Sequence, residues 1–189
     1  ASINFAGYPY WTGDADPLSS VDLDTAGQQA DSSFSAAFDI GATDTANNEW
    51  PWAMSALWLE NDFEGVNYIK VTYSSDKDMF LTIDQSDPSD PDNSFPFQYT
   101  LPASAAENTV LIAVDEFTLA SWKTPSTDLD LSLVKGIFFE HKNLYDETCE
   151  ISVSDLRLYN YKGIVTSVIS ENGLSSDNKI SLSSVSSGS

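Results

Sequence analysis

Apolar and polar residues alternate with a period of two through most of the middle of the chain, and that period belongs to strands. In "VNYIKVTYSS" (66–75), Ile69, Val71 and Tyr73 fall on one face and Tyr68, Lys70 and Thr72 on the other. "DMFLTIDQ" (78–85) sets Met79, Leu81 and Ile83 against Phe80, Thr82 and Asp84. "SSFSAAFDIG" (32–41) alternates more weakly, and "AMSALWLE" (53–60) is a largely apolar strand. "FPFQYTLP", "NTVLIAVDEF", "VKGIFFEHKN" and "CEISVSDLRLYN" continue the series to residue 160. Turn-forming residues separate these segments, and helical periodicity is confined to short stretches such as "DEFTLASW" (115–122). About eight strands or more over residues 30–160 predict an all-β fold, an antiparallel β-sandwich or barrel. The Asp- and Pro-rich "DQSDPSDPDNSFP" (84–96) reads as an exposed connection.

In a sandwich the two inner faces form the core, so the informative residues are those on the other side. If Met79, Leu81 and Ile83 face the core, Phe80 faces outward beside Thr82 and Asp84. If Ile137 and Phe139 face the core, Phe138 and Glu140 face outward. Two strands thus place an aromatic ring and a carboxylate on the non-core face, which on a curved sheet is the wall of a cleft. That combination suits a sugar. A pyranose presents C–H groups that stack on a flat ring, and its hydroxyls need polar partners around the rim.

The candidate ligand rings are Tyr10, Trp11, Trp50, Trp52, Trp58, Tyr99 and Trp122. Three of the five tryptophans stand within nine positions, 50 to 58. Trp58, mid-strand between leucines, reads equally as core. Trp122, before "KTP", reads as closing one end of the sandwich. Trp50 and Trp52 flank Pro51 after a polar loop and read as a rim. The expected contact set is Trp11, Trp52, Phe80, Asp84, Tyr99, Phe138 and Glu140, with rings stacking and acids accepting hydroxyl protons.

Charge narrows the partners. The 189 residues carry 29 acidic and 8 basic side chains, a net charge of −21, and Arg157 is the single arginine. Phosphate backbones require a basic footprint, so nucleic acid is excluded as a partner, and anionic membranes are disfavoured for the same reason. No apolar run is long enough for membrane insertion. A neutral ligand fits this surface. Cys149 stands alone, which excludes an internal disulfide, and reads as a small buried strand residue. His141 is the single histidine, no G-x-S-x-G is present, and no phosphate-binding glycine loop occurs, so nucleophilic and phosphoryl chemistry lack their usual parts.

The order of segments resembles the jelly-roll carbohydrate-binding modules of the galactose-binding-like type, including the family 11 modules of fibre-degrading bacteria that bind β-glucans. The resemblance covers residues 3 to about 160 and rests on four stretches. "GYPYWTGDADPLSS" (7–20) is similar to their aromatic, Asp-rich N-terminal loop, and "WPWAMSALWL" (50–59) to their aromatic-led strand. "LIAVDEFTLASWKTPSTDLDLSLVKGIFF" (111–139) carries the most specific likeness, and "ISVSDLRLYN" (151–160) resembles the closing strand. The closing strand departs from the pattern with Ser154 before Asp155, where a second aspartate is usual. The start, "ASINFAG", lacks the early acidic cluster.

The resemblance implies a non-catalytic module that binds a β-glucan-type polysaccharide and tethers an appended enzyme to plant cell walls. It implies secretion or cell-surface location, and one structural calcium held between the N-terminal segment and Asp155. The two departures count against that ion. Residues 1–165 are expected to form the sandwich, and the Ser-rich residues 166–189 a tail, a linker or the start of a further module, as in a larger multi-domain protein. Ala1 reads as a processed or trimmed start, in keeping with export. Two alternatives stand beside this reading: a protein-interaction or cell-surface assembly module of the same fold, and a small glycoside hydrolase or lyase using a pair of the many carboxylates.

Overall fold

A computed structural model describes residues 2–3, 11–24, 33–44, 50–58, 63–124 and 127–160. Among them are twelve strands: β1 (Ser2–Ile3), β2 (Trp11–Ala15), β3 (Ser20–Asp24), β4 (Phe34–Ile40), β5 (Ala53–Trp58), β6 (Tyr68–Ser75), β7 (Met79–Asp87), β8 (Asp90–Leu101), β9 (Ser104–Ala113), β10 (Thr118–Leu119), β11 (Val134–His141) and β12 (Glu147–Tyr159). They build two six-stranded sheets. Sheet I runs β3-β4-β12-β6-β9, with β1 also paired to β12, and sheet II runs β10-β8-β7-β11-β5-β2. Every ladder is antiparallel. The fold is the all-β sandwich that the alternation predicts. No helix among the described residues is long and apolar enough to cross a membrane.

The core lies where the alternation places it. Sheet I contributes Phe34, Ala36, Phe38 and Ile40 from β4 and Ile69, Val71 and Tyr73 from β6. From β12 come Cys149, Ile151 and Val153, then Leu156 and Leu158. The change from odd to even positions coincides with a register shift between Val153 and Asp155, an extra residue that resets which side chains point inward. Sheet II contributes Met79, Leu81 and Ile83, Phe95, Phe97 and Leu101, Ile137 and Phe139, and Ala53 and Leu57. The two layers meet through contacts such as Phe34 on Phe139, edge to face at 5.3 Å between centroids. Each fully buried side chain of this size contributes about 1.5–3 kcal/mol of transfer free energy. Tyr73 brings its phenol inside and donates to the Pro102 carbonyl at 2.8 Å, so no polar atom is stranded there. Cys149 is fully buried, and burial pushes its thiol up to about 12, which leaves it unreactive.

Three local expectations are corrected. Residues 84–96 are not a loop: β7 runs on to Asp87 and β8 starts at Asp90, joined at Pro88 and Ser89. The Asp87 carboxylate accepts from Ser89 N at 2.8 Å, Ser89 Oγ at 2.6 Å and Asn93 Nδ2 at 3.1 Å. These bonds close the turn with a side chain and hold the Asp87 carboxyl below its ordinary range. Over 115–122, a single 3-10 turn, Val114–Glu116, gives way to the short strand β10. Trp122 does not close the sandwich: its residue surface is 68% exposed, with Lys123 Nζ 5.1 Å from the ring centre. The boundary expected at residue 165 and the tail beyond it lie outside the described residues.

Candidate functional site

Strand register turns the outer face of sheet II into a grid. Gly136 of β11 is opposite Trp58 of β5 and Asp84 of β7, which is opposite Pro96 of β8. The next row reads Thr12, Ala56, Phe138, Thr82, Gln98 and Thr118 across all six strands. The row after it reads Asp14, Met54, Glu140, Phe80 and Thr100. Rows lie about 6.8 Å apart along the strands, and columns about 4.8 Å apart. One further step along β5 in the same phase reaches Trp52, about 20 Å from Trp58. Phe138, Ala56, Thr82 and Asp84 are buried without belonging to the core cluster, so they form the floor of this second face.

Trp58 stands up from that floor. The residue is 46% exposed. Its indole Nε1 donates to Thr12 Oγ1 at 3.0 Å, and its ring meets Phe138 edge to face at 5.0 Å. Gly136 makes the approach possible. A Cβ there would come within 2.8 Å of Phe138 Cε1, 3.1 Å of the Leu57 carbonyl oxygen and 3.4 Å of Trp58 Cε3. The absent side chain lets the two rings close over the strand. The result is a rigid, half-exposed aromatic surface whose orientation is set before any ligand arrives.

The polar groups on the face differ in electrostatics. Burial pushes the Asp84 carboxyl up, while the Ser94 hydroxyl, the Lys135 ammonium and Lys123 work against that rise. Lys135 Nζ is 3.3 Å from Asp84 Oδ2. Glu140 has no ion-pair partner among the described residues. Burial pushes its carboxyl up to about 7, the Thr82 hydroxyl nearby favours the charged form, and the Asp84 charge disfavours it. Thr82 is fully buried, and the Glu140 carboxyl is the polar group its hydroxyl faces. Lys142 Nζ lies 5.9 Å from the centre of the Phe80 ring and 3.7 Å from Asp78.

The structure brings together four of the residues expected from sequence: Phe80, Asp84, Phe138 and Glu140. Trp52 is 41% exposed and continues their phase at the end of β5, where its carbonyl accepts from Asp16 N at 3.0 Å. Trp11 lies in β2 opposite Leu57, and only its backbone is described. Tyr99 does not join the face. It is opposite Leu81, packs against the core and tilts onto Phe117 at 5.8 Å. The reason is its phase: Phe95, Phe97 and Tyr99 share one side of β8, and the first two are buried. Tyr10 is outside the described residues. Trp58, Thr12, Gln98 and Gly136 were missing from the expected set. Trp58 had a readable signal, since it lies six residues, three full strand periods, after Trp52.

Neither metal nor histidine chemistry centres on this face. The Asp155 carboxylate already meets Lys70 Nζ at 2.9 Å and Arg157 Nε at 2.8 Å. A calcium ion would have to displace two bound cations, and no cluster of three ligating side chains exists among the described residues. These residues do not fit the calcium site that the resemblance implies. The N-terminal segment expected to share that ion lies outside the described residues except for β1. His141 is buried on the core side of β11, opposite Met79. It accepts from Leu144 N at 3.2 Å and donates to the Pro51 carbonyl, with burial holding its pKa down.

No protein-family model matches this sequence. No curated protein matches it either. Solved structures do. The chain is similar to the family 11 carbohydrate-binding module of cellulosomal cellulase Lic26A-Cel5E of Clostridium thermocellum, with a TM-score of 0.65 at 16% identity over 82% of this chain and 89% of that one. A family 11 module from the same organism, in complex with a β-1,3-1,4-mixed-linked tetrasaccharide, gives 0.65 at 15% identity over 83% and 93%. The family 30 module of cellulosomal cellulase Cel9D-Cel44B of that organism gives 0.54 at 11% identity over 86% and 98%. At these identities the likeness is one of fold.

Proposed function

We propose that this chain is a non-catalytic carbohydrate-binding module whose ligand lies on the outer face of sheet II. The observation that carries this reading is Trp58, half exposed and held by Thr12 and Phe138 above the floor of the second face. A flat ring offered to solvent on the same sheet face as Glu140 and Gln98 matches the mixed character of a sugar. The ligand is a neutral chain of β-glucan type, and the span from Trp58 to Trp52 is long enough for several pyranose rings. A neutral ligand also agrees with the net charge of −21. The module tethers an appended enzyme to plant cell-wall polysaccharide outside the cell and raises its local concentration there. The fold shared with carbohydrate-binding modules supports this reading.

Hydrolysis fits less well. Asp84 and Glu140 share the face, but the ladder sets them four residues apart along the strands. That is a Cα offset of about 13 Å, against carboxyl separations of roughly 5–9.5 Å in glycosidases. Asp84 is also committed to Lys135. A protein-interaction role draws on a different observation, the exposed Leu18 and Trp50 at the β2–β5 end, where Trp50 leans on Tyr145 at 6.0 Å.

Affinity electrophoresis separates these readings. Native gels containing mixed-linkage β-glucan, xyloglucan, xylan or galactomannan should retard the wild type in at least one. Trp58→Ala should lose most of that retardation, and Trp52→Ala a smaller part of it. Retardation by none of the four would transfer the case to the interaction module, and release of reducing sugar would transfer it to the hydrolase.

A further inference from the structure

The outward phase of β5 does not stop at Trp52. Burial alternates without a break before the strand begins: Trp50 is exposed, Pro51 buried, Trp52 exposed and Ala53 buried. Asp16 N bonds the Trp52 carbonyl one step beyond the Ala15–Ala53 pair, so the β2–β5 ladder runs on into this segment. Trp50 therefore follows Trp52 on the outer side, at the strand spacing of about 6.8 Å. It is 54% exposed, more than Trp52 or Trp58.

The ring is also braced. It meets Tyr145 edge to face at 6.0 Å between centroids, and Tyr145 meets His141 edge to face at 5.7 Å. His141 closes the circuit, since it donates to the Pro51 carbonyl and its Nδ1 accepts from Leu144 N at 3.2 Å. Pro51 lies between the two tryptophans, and Leu144 precedes the tyrosine. One buried imidazole thus ties the tryptophan segment to the turn that carries Tyr145, and it uses both ring nitrogens to do so. That turn is fixed from its other side by Asp146 N, which bonds the Gly41 carbonyl at 3.0 Å. Its course depends on left-handed backbone at Asn143 (φ 52°) and Asp146 (φ 58°), residue types that tolerate it.

We propose that Trp50 is a further contact of the bound glycan, at the end of the face remote from Trp58, and that His141 is the residue that positions it. The inference rests on the carbohydrate reading of the sheet II face. Continuity names the occupant. Trp58, Trp52 and Trp50 share one outward phase along about 27 Å of extended chain, so a glycan lying on the first two reaches the third by going on in the same direction. The brace supplies what such a contact needs, an exposed aromatic surface whose orientation is set in the free protein, so that little freedom is lost on binding. Trp52 keeps its own bond to Asp16, which leaves Trp50 as the ring that depends most on His141.

Calorimetric titration with soluble mixed-linkage β-glucan tests the proposal. Trp50→Ala should weaken binding about 5–10-fold, the effect of a ligand that covers about half of the exposed ring. Its melting temperature should stay near that of wild type, because Trp50 lies outside the core cluster. His141→Phe keeps a ring beside Tyr145 but bonds neither Pro51 nor Leu144. It should weaken binding about 2–10-fold, the cost of ordering a loosened side chain. Where His141→Phe folds poorly, Tyr145→Leu removes the brace from its other side and should give the same loss. In a Trp50→Ala background the His141→Phe effect should shrink below about twofold, and in a Trp58→Ala background it should persist in full. Trp50→Ala binding within twofold of wild type, with Trp58→Ala still impaired, overturns this proposal and leaves the carbohydrate reading standing. Equal effects of His141→Phe in the two backgrounds overturn its positioning role. A wild-type protein that binds no glucan overturns the function and this inference together.

Discussion

Removal of the Trp58 indole is the perturbation whose size the structure sets most directly. A tryptophan side chain carries roughly 150–250 Å² of surface, so a residue 46% exposed leaves about 100 Å² for a ligand to cover. At about 25 cal/mol per Å², full coverage contributes about 2.5 kcal/mol, a roughly 60-fold change in Kd. Little ordering entropy offsets it, because Thr12 and Phe138 already hold the ring. Coverage of only half that area still leaves about an eightfold loss. Trp58→Ala should therefore weaken glucan binding by about one to two decades in calorimetric titration. Trp58 lies outside the core cluster, so unfolding stability should fall by about 1 kcal/mol or less. Trp58→Phe keeps a ring but loses the bond to Thr12, and should fall between the two. A Trp58→Ala protein that folds normally and binds within twofold of wild type would refute this reasoning.

Two further outcomes follow from the same face. Burial lifts Glu140 in the folded state to about 7, from an ordinary 4.5. The stability tied to its proton is present below about pH 4.5 and is lost as pH rises through about 7. Glu140→Gln removes that dependence, so urea unfolding should show the variant gaining roughly 2 kcal/mol on wild type between about pH 4 and about pH 8, after a discount for partial solvent contact. Parallel pH profiles would count against a dehydrated Glu140. Binding of a neutral glucan should change by less than about twofold between about 0.02 M and 0.5 M salt, since screening acts on charge pairs and the ligand brings none. A steep salt dependence in a titration series would mean a charged ligand.

Much of this face is readable in the sequence where a strand has one plainly apolar side. β7 and β11 are such strands: Met79, Leu81 and Ile83, and Ile137 and Phe139, define the core phase, and Phe80, Asp84, Phe138 and Glu140 then follow. β5 is different. "AMSALW" is apolar or small on both sides, with Ala56 on the outer side as buried as its neighbours, so periodicity alone does not separate Leu57 from Trp58. Its partners separate them, since Trp58 is opposite a glycine that leaves room for the ring. Tyr99 shows the converse. Its chemistry suits a sugar, but the phase set by Phe95 and Phe97 turns it to the core. In residues 84–96 the prolines and aspartates conceal two long strands, because a hairpin turn needs only Pro88, Ser89 and a carboxylate to bond them. The burial of the Thr82 hydroxyl has no sequence signature, because it depends on what the neighbouring strands bring around it.

The most direct test of the central claim is a titration of the ¹⁵N-labelled protein with a mixed-linkage gluco-oligosaccharide, followed through the indole N–H signals by NMR. The Trp58 signal should shift progressively to saturation, while that of Trp122, outside the grid and 68% exposed, should stay in place. Saturable shifts at Trp122 with Trp58 unmoved would place the ligand elsewhere. No shift with any glucan would contradict a carbohydrate-binding face on sheet II.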